Sequence, residues 1–185
     1  VLAATRRSGL RITPVNWHLT ADEVAYVVQD CEAKALFAES RIAAAAPAAA
    51  QCPGLLVKLA IGGAIDGFDA YDATLAGFDA SNIPDPVLGN QMMYTSGTTG
   101  RPKGVMLSHR NLLAMTACYF SDVDPGLGAD DAIVYAAPIS HGAGLYNFAF
   151  VARGARHVLP VSQGFEPAEL VALSQGVGRL CFFAA

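Results

Sequence analysis

The 185-residue sequence predicts an α/β fold, a mainly parallel sheet flanked by helices, interrupted by a β-hairpin loop. Two observations carry that prediction. Short runs of strand type, such as Leu55–Ile61 and Ala132–Ala136, alternate with helix-type stretches such as 20–30 and 109–120. That order builds a parallel sheet with helices on its faces. Hydrophobic residues make up 53% of the chain and charged residues 15%, which supplies a core and excludes a disordered segment.

Taken in order, residues 1–9 read as the last turns of a helix, closed by Gly9 at a C-terminal cap position. Leu10–Val15 is extended and broken by Pro14, and Asn16–His18 is a loop. Thr20 with Glu23 three residues on is a capping box. It opens a helix through Asp30 whose Val24, Val27 and Val28 share one face. A strand over Ala33–Ala38, an alanine-rich helix over Ser40–Gln51 disturbed by Pro47, and a strand over Leu55–Ile61 complete a first segment, residues 1–61.

Residues 62–86 are rich in Gly, Asp and Pro and form a connection to which no chemistry is assigned. Gly67-Phe68-Asp69-Ala70 recurs there as Gly77-Phe78-Asp79-Ala80, but one echo does not make a repeat architecture. Residues 87–185 form the second segment. Gln91–Tyr94 and Gly104–Ser108 are the strands of the hairpin, and Ser108 caps a helix from His109 to Phe120. A turn with Pro125-Gly126 spans 122–131. A strand over Ala132–Ala136, a helix over Gly144–Ala152, a strand over Arg156–Pro160, a helix over Pro167–Gln175 and a strand over Arg179–Ala184 follow. The chain begins at Val1 and ends inside an apolar run, so a truncated part of a larger domain is expected.

The chemically committed stretch is Tyr94–Asn111, YTSGTTGRPKGVMLSHRN. Thr95, Ser96, Thr98 and Thr99 offer hydroxyls on a backbone that Gly97 and Gly100 leave unencumbered. Glycine allows close approach of backbone to a ligand, and successive N–H groups make an anion nest. Pro102 stiffens the exit and Lys103 brings a point charge suited to phosphate. No acidic residue lies between Asp85 and Asp122, whereas Arg101, Lys103 and Arg110 are cationic. A polyphosphate therefore meets no like charge from this stretch. The competing interpretation is a Gly/Ser/Thr surface hairpin that binds nothing; turn chemistry explains Gly and Ser but not Thr98-Thr99 or an unpaired lysine. A Walker loop is disfavoured, because Gly100 and Lys103 are separated by two residues and a strand-type run follows in place of a helix. A helix dipole is thus not the main anion-holding device, and hydroxyls and Lys103 carry that task.

A second place is Pro138-Ile139-Ser140-His141-Gly142-Ala143-Gly144, at the carboxyl end of the strand over 132–136. Ligands of open α/β sheets bind outside such strand ends. His141 there either faces a cleft or bonds a backbone carbonyl. His18 and His157 lack partners at metal spacing, His109 is tied to the Ser108 cap, and Trp17 is expected to pack.

A net charge of −4 argues against nucleic acid as the main partner. No apolar run reaches the ~20 residues of a membrane span. Cys31, Cys52, Cys118 and Cys181 form no C-x-x-C pair, so reduced, mostly buried thiols in a cytoplasmic protein are expected. No basic-then-apolar leader opens the sequence.

Thr95 through Gly104 closely resembles, in register, the signature loop of the adenylate-forming enzymes: acyl-CoA synthetases, peptide-synthesis adenylation domains and luciferases. The resemblance extends over nearly the whole chain and implies the middle of that family's large domain. It implies that Thr95, Ser96, Gly97, Thr98, Thr99, Gly100 and Lys103 bind the β- and γ-phosphates of ATP while a carboxylate attacks the α-phosphate. The implied products are an acyl-adenylate and pyrophosphate; a thiol, that of coenzyme A in the acyl-CoA synthetases, then displaces AMP. The P-I-S-H-G-A-G segment is similar to one whose histidine lies between the substrate carboxylate and the acyl pocket. His141 is thereby implied to orient the carboxylate, with Gly142 and Gly144 leaving space for it and Leu145, Tyr146 and Phe148 as pocket candidates.

The family's Y-G-x-T-E segment, whose glutamate helps hold magnesium, its T-G-D segment, and its C-terminal catalytic lysine are absent from the sequence. The Mg2+ ligand is thus missing here, and this chain alone is expected to be inactive. The parent implied is an AMP-forming acid–thiol ligase acting on a fatty or aryl acid. The alternatives are a carrier-protein-linked adenylation domain and a noncatalytic nucleotide-binding module.

Overall fold

The computed structural model describes residues 1–95 and 100–183. It is α/β, and the chain divides into two compact units, 1–106 and 107–185.

The first unit contains helices α1 (Leu2–Arg7), α2 (Ala21–Asp30), α3 (Ala45–Ala50) and α4 (Tyr71–Leu75), and strands β1 (Arg11–Ile12), β2 (Ala35–Glu39), β3 (Val57–Ile61), β4 (Asp69–Ala70), β5 (Asn90–Tyr94) and β6 (Gly104–Leu107). One three-stranded sheet has the order β2-β3-β4, all parallel, with Ala35 opposite Val57 and Leu59 opposite Asp69. Another has the order β1-β5-β6, with β1 parallel to β5. A parallel crossover takes about a dozen residues or more. Residues 95–103 are too few for one, so β5 and β6 form the expected hairpin.

Helix α2 begins where the sequence places it, and for the expected reason. The Glu23 N–H donates to Thr20 Oγ1 at 3.4 Å, and the Thr20 N–H donates to Glu23 Oε2 at 2.8 Å. Its buried face, Val24, Ala25 and Val28, packs on Ala48 and Cys52. Helix α3 is shorter than the 40–51 stretch expected. Pro47 sits in its first turn, where the missing N–H has no intrahelical partner to lose. The proline therefore marks the start of this helix and does not disturb its middle. The 62–86 connection carries β4 and α4, which the sequence reading left unassigned.

The second unit has α5 (His109–Cys118), a π-helical turn (Tyr119–Val123), β7 (Ala132–Val134), α6 (Gly142–Arg153), β8 (Arg156–Val158), α7 (Pro167–Ser174) and β9 (Leu180–Phe182). Its sheet has the order β8-β7-β9, all parallel. Strand β7 and helix α6 close on a core that includes Leu127, Ile133, Tyr135, Ala143, Ala149 and Phe150, with Cys181 of β9 packed against it. The π turn, closed by the Asp124 N–H on the Tyr119 carbonyl at 2.8 Å, was expected as plain α-helix to Phe120. Its Tyr119 ring meets those of Tyr146 and Phe150 at 5.8 and 5.9 Å. Arg179 ties the 124–131 turn by bonds to Asp124 (2.9 Å), the Gly126 carbonyl (2.7 Å) and Asp131 (2.6 Å).

Two expectations about single residues fail. Trp17 is 51% exposed and lies over the His18 ring at 3.5 Å, so it does not serve as packing. The four cysteines are free, but only Cys52 is buried, and Cys118 is exposed. No described helix is long and apolar enough to cross a membrane.

Candidate functional site

Strand β5 enters the loop with Gln91, Met92 and Met93 buried, and Tyr94 half-buried. At the mouth, the Thr95 N–H donates to the Lys103 carbonyl at 3.0 Å and the Lys103 N–H donates to Thr95 Oγ1 at 3.1 Å. This pair closes the stem. A threonine hydroxyl that accepts a bond keeps its own proton to donate. Gly104 follows directly: a Cβ there would meet Met92 Cε at 1.9 Å, so a larger residue would force the methionine aside.

Lys103 is exposed, and among the described residues its ammonium makes no ion pair. Gly100 is exposed with φ +141°, a conformation open to glycine, and nothing lies within 4 Å of where its Cβ would be. Ser96, Gly97, Thr98 and Thr99, all named as phosphate ligands by the sequence, lie outside the described residues.

Helix α2 holds the stem from one side. The Tyr94 hydroxyl donates to Asp30 Oδ2 at 2.5 Å, and the Tyr26 hydroxyl donates to the Pro102 carbonyl at 2.9 Å. The Arg101 guanidinium lies over the Tyr26 ring, 5.3 Å from its centre. Burial first, then the neighbouring Asp30 carboxylate, pushes the Tyr94 phenol well above its ordinary value, so it stays a proton donor. Sequence reasoning missed Tyr26 and Asp30. Their four-residue spacing on one helix was visible, but it fits a solvated face equally well.

His141 is exposed at the N-cap of α6, with its backbone N–H on the Pro138 carbonyl at 3.0 Å. Its side chain makes no cap bond. Helix α6 starts at Gly142, two residues before the expected start. Gly144 is buried against Ile139, whose carbonyl oxygen would stand 1.8 Å from an added Cβ. That close approach folds the 138–141 turn back onto the helix and fixes where His141 emerges. Gly142 faces the Phe183 ring, 3.1 Å from its virtual Cβ. Tyr146, one of three pocket candidates, stacks on Phe183 at 5.6 Å and joins the core. Ser140 Oγ is buried with no hydrogen-bond partner.

The other histidine of note is His157, whose Nδ1 shares a hydrogen bond with the Tyr135 hydroxyl at 2.7 Å. Burial lowers the His157 value and raises that of Tyr135 to about 12. Among the described residues no three His, Cys, Asp or Glu side chains cluster as a metal cage would require.

A family model described as AMP-binding enzyme matches residues 1–181. The indoleacetate–CoA ligase of Aromatoleum aromaticum is 35% identical over 150 residues, covering 79% of this chain and 29% of that protein. The fatty acid–[acyl-carrier-protein] ligase ScoC of Streptomyces coeruleorubidus is 36% identical over 121 residues, 62% of this chain and 22% of that one. The structure of ATP-bound MatB from Rhodopseudomonas palustris superposes with a TM-score of 0.68 at 27% identity, covering 90% of this chain and 33% of its own. The chain thus spans about a third or less of the length of each of these relatives.

Proposed function

The chain belongs to the AMP-binding enzyme family, and from that membership we propose that it is a segment of an AMP-forming acid–thiol ligase. The whole enzyme activates a fatty or aryl carboxylic acid with ATP in the cytoplasm, releasing pyrophosphate, and passes the acyl group to coenzyme A as a thioester. The observation that carries this proposal is the stem: the Lys103 backbone is bonded to the Thr95 N–H and hydroxyl, while the Lys103 ammonium stands exposed and without an ion pair among the described residues.

In this proposal Thr95, Ser96, Gly97, Thr98, Thr99 and Gly100 donate to the β- and γ-phosphate oxygens, and Lys103 offsets their charge as pyrophosphate leaves. Such catalysis works through positioning and charge stabilisation. His141 orients the acid from its exposed place at the start of α6. A Mg2+ ion on the triphosphate would shield phosphate charge; the family's Y-G-x-T-E glutamate that would help hold it is not in this sequence. The segment alone is inactive, since the glutamate, aspartate and lysine of the family's further motifs are missing from it.

A carrier protein as acceptor is the second possibility, favoured by the similarity to an acyl-carrier-protein ligase. Trapping the activated acid with hydroxylamine, over a panel of fatty and aryl acids, tests the first half-reaction. Offering coenzyme A or an acyl carrier protein to the acid that responds tests the second. Thioester on coenzyme A is the expected result; ATP binding with no hydroxamate from any acid would leave a noncatalytic nucleotide-binding module.

A further inference from the structure

We propose that Tyr26 and Asp30 are positioning residues for the triphosphate of ATP, acting through the two arms of the loop that carries Lys103; this rests on the phosphate-loop assignment above. The two side chains stand one helical turn apart on α2 and reach different arms. Asp30 accepts from the Tyr94 hydroxyl on the entering arm at 2.5 Å. Tyr26 donates to the Pro102 carbonyl on the leaving arm at 2.9 Å. Between them the Thr95–Lys103 pair ties one arm to the other. Tyr26 also holds Arg101 over its ring at 5.3 Å, next in the chain to Pro102. The backbone on both sides of the loop is therefore referred to one helix, whose own place is set by the buried Val24, Ala25 and Val28.

Stability alone does not account for Asp30. It is the last residue of α2, where the helix dipole disfavours a carboxylate, and no basic residue shares that turn. It is exposed, so it fills no core volume. Its partner, Tyr94, lies at the mouth of the loop. An anchor that costs the helix something and fixes the loop is what pre-organisation of a charged ligand site requires, because an ammonium already in place is not ordered at the expense of binding.

The test compares MgATP with AMP, which lacks the phosphates that the loop would grip. Calorimetric affinities for both are measured on the whole enzyme containing this segment, unmutated and as Tyr26→Phe, Asp30→Ala, Tyr94→Phe and Lys103→Ala. Losing one anchoring hydrogen bond is expected to weaken MgATP binding about three- to tenfold while AMP binding stays unchanged. Tyr94→Phe must reproduce Asp30→Ala, since each removes the same bond. Asp30→Ala must also keep its melting temperature, which a merely structural residue would lower. Equal losses for MgATP and AMP, or an unmoved MgATP affinity in both Tyr26→Phe and Asp30→Ala while Lys103→Ala lowers it, overturns the positioning role alone. A Lys103→Ala enzyme with full discrimination of MgATP from AMP overturns the loop assignment beneath it.

Discussion

Lys103 is tied into the stem by its backbone and leaves its charge exposed, as the proposed phosphate role requires. The glycines near His141 illustrate the opposite case. Gly144 has no space for a methyl group beside the Ile139 carbonyl, so Gly144→Ala must displace backbone. The expected cost is about 1–3 kcal/mol, read by urea unfolding of the second unit. His141→Ala removes an exposed ring with no side-chain cap bond, so stability should stay within about 0.5 kcal/mol. In the whole enzyme the same change should raise KM for the acid and leave KM for ATP unaltered. His157 supplies a pH dependence. Burial holds its folded value below the ordinary one, so below about pH 6.5 the unfolded chain binds a proton that the folded chain resists. The second unit should therefore lose stability on acidification from pH 7 to 5, and His157→Leu should flatten that slope.

At the scale of elements, what was legible in the sequence was local. The Thr20–Glu23 box and the Ser108 cap need only residues three apart, and both form as expected. Ser108 accepts from the Asn111 N–H at 3.2 Å, and Ser108→Ala should cost about 1 kcal/mol, measured as a lower urea midpoint. The misjudged elements are those where a residue's meaning depends on its position within the element. Pro47 reads as a helix breaker until α3 is seen to start just before it. Gly142 reads as loop, with the helix starting at Gly144, until α6 is seen to begin two residues earlier and the Ile139 carbonyl to need the space beside Gly144. Tyr26 and Asp30 were illegible for a different reason. Their partners, Pro102 and Tyr94, are 76 and 64 residues away, and no local pattern encodes a contact at that separation.

For the molecule as a whole, βαβ order correctly gave parallel pairing in the β2-β3-β4 and β8-β7-β9 sheets. It did not give their division into separate three-stranded sheets, because strand order is set by packing between distant elements. Candidate chemistry is likewise distributed, with the loop stem in one unit and His141 in the other. The proposed reaction depends on both, so its decisive readout is made on the whole enzyme. That readout is the exchange of labelled pyrophosphate into ATP, with and without the responsive acid, before and after Lys103→Ala. Exchange that requires the acid and falls at least about 100-fold on loss of the ammonium is predicted. Exchange that persists without any acid, or that Lys103→Ala leaves intact, would contradict the account.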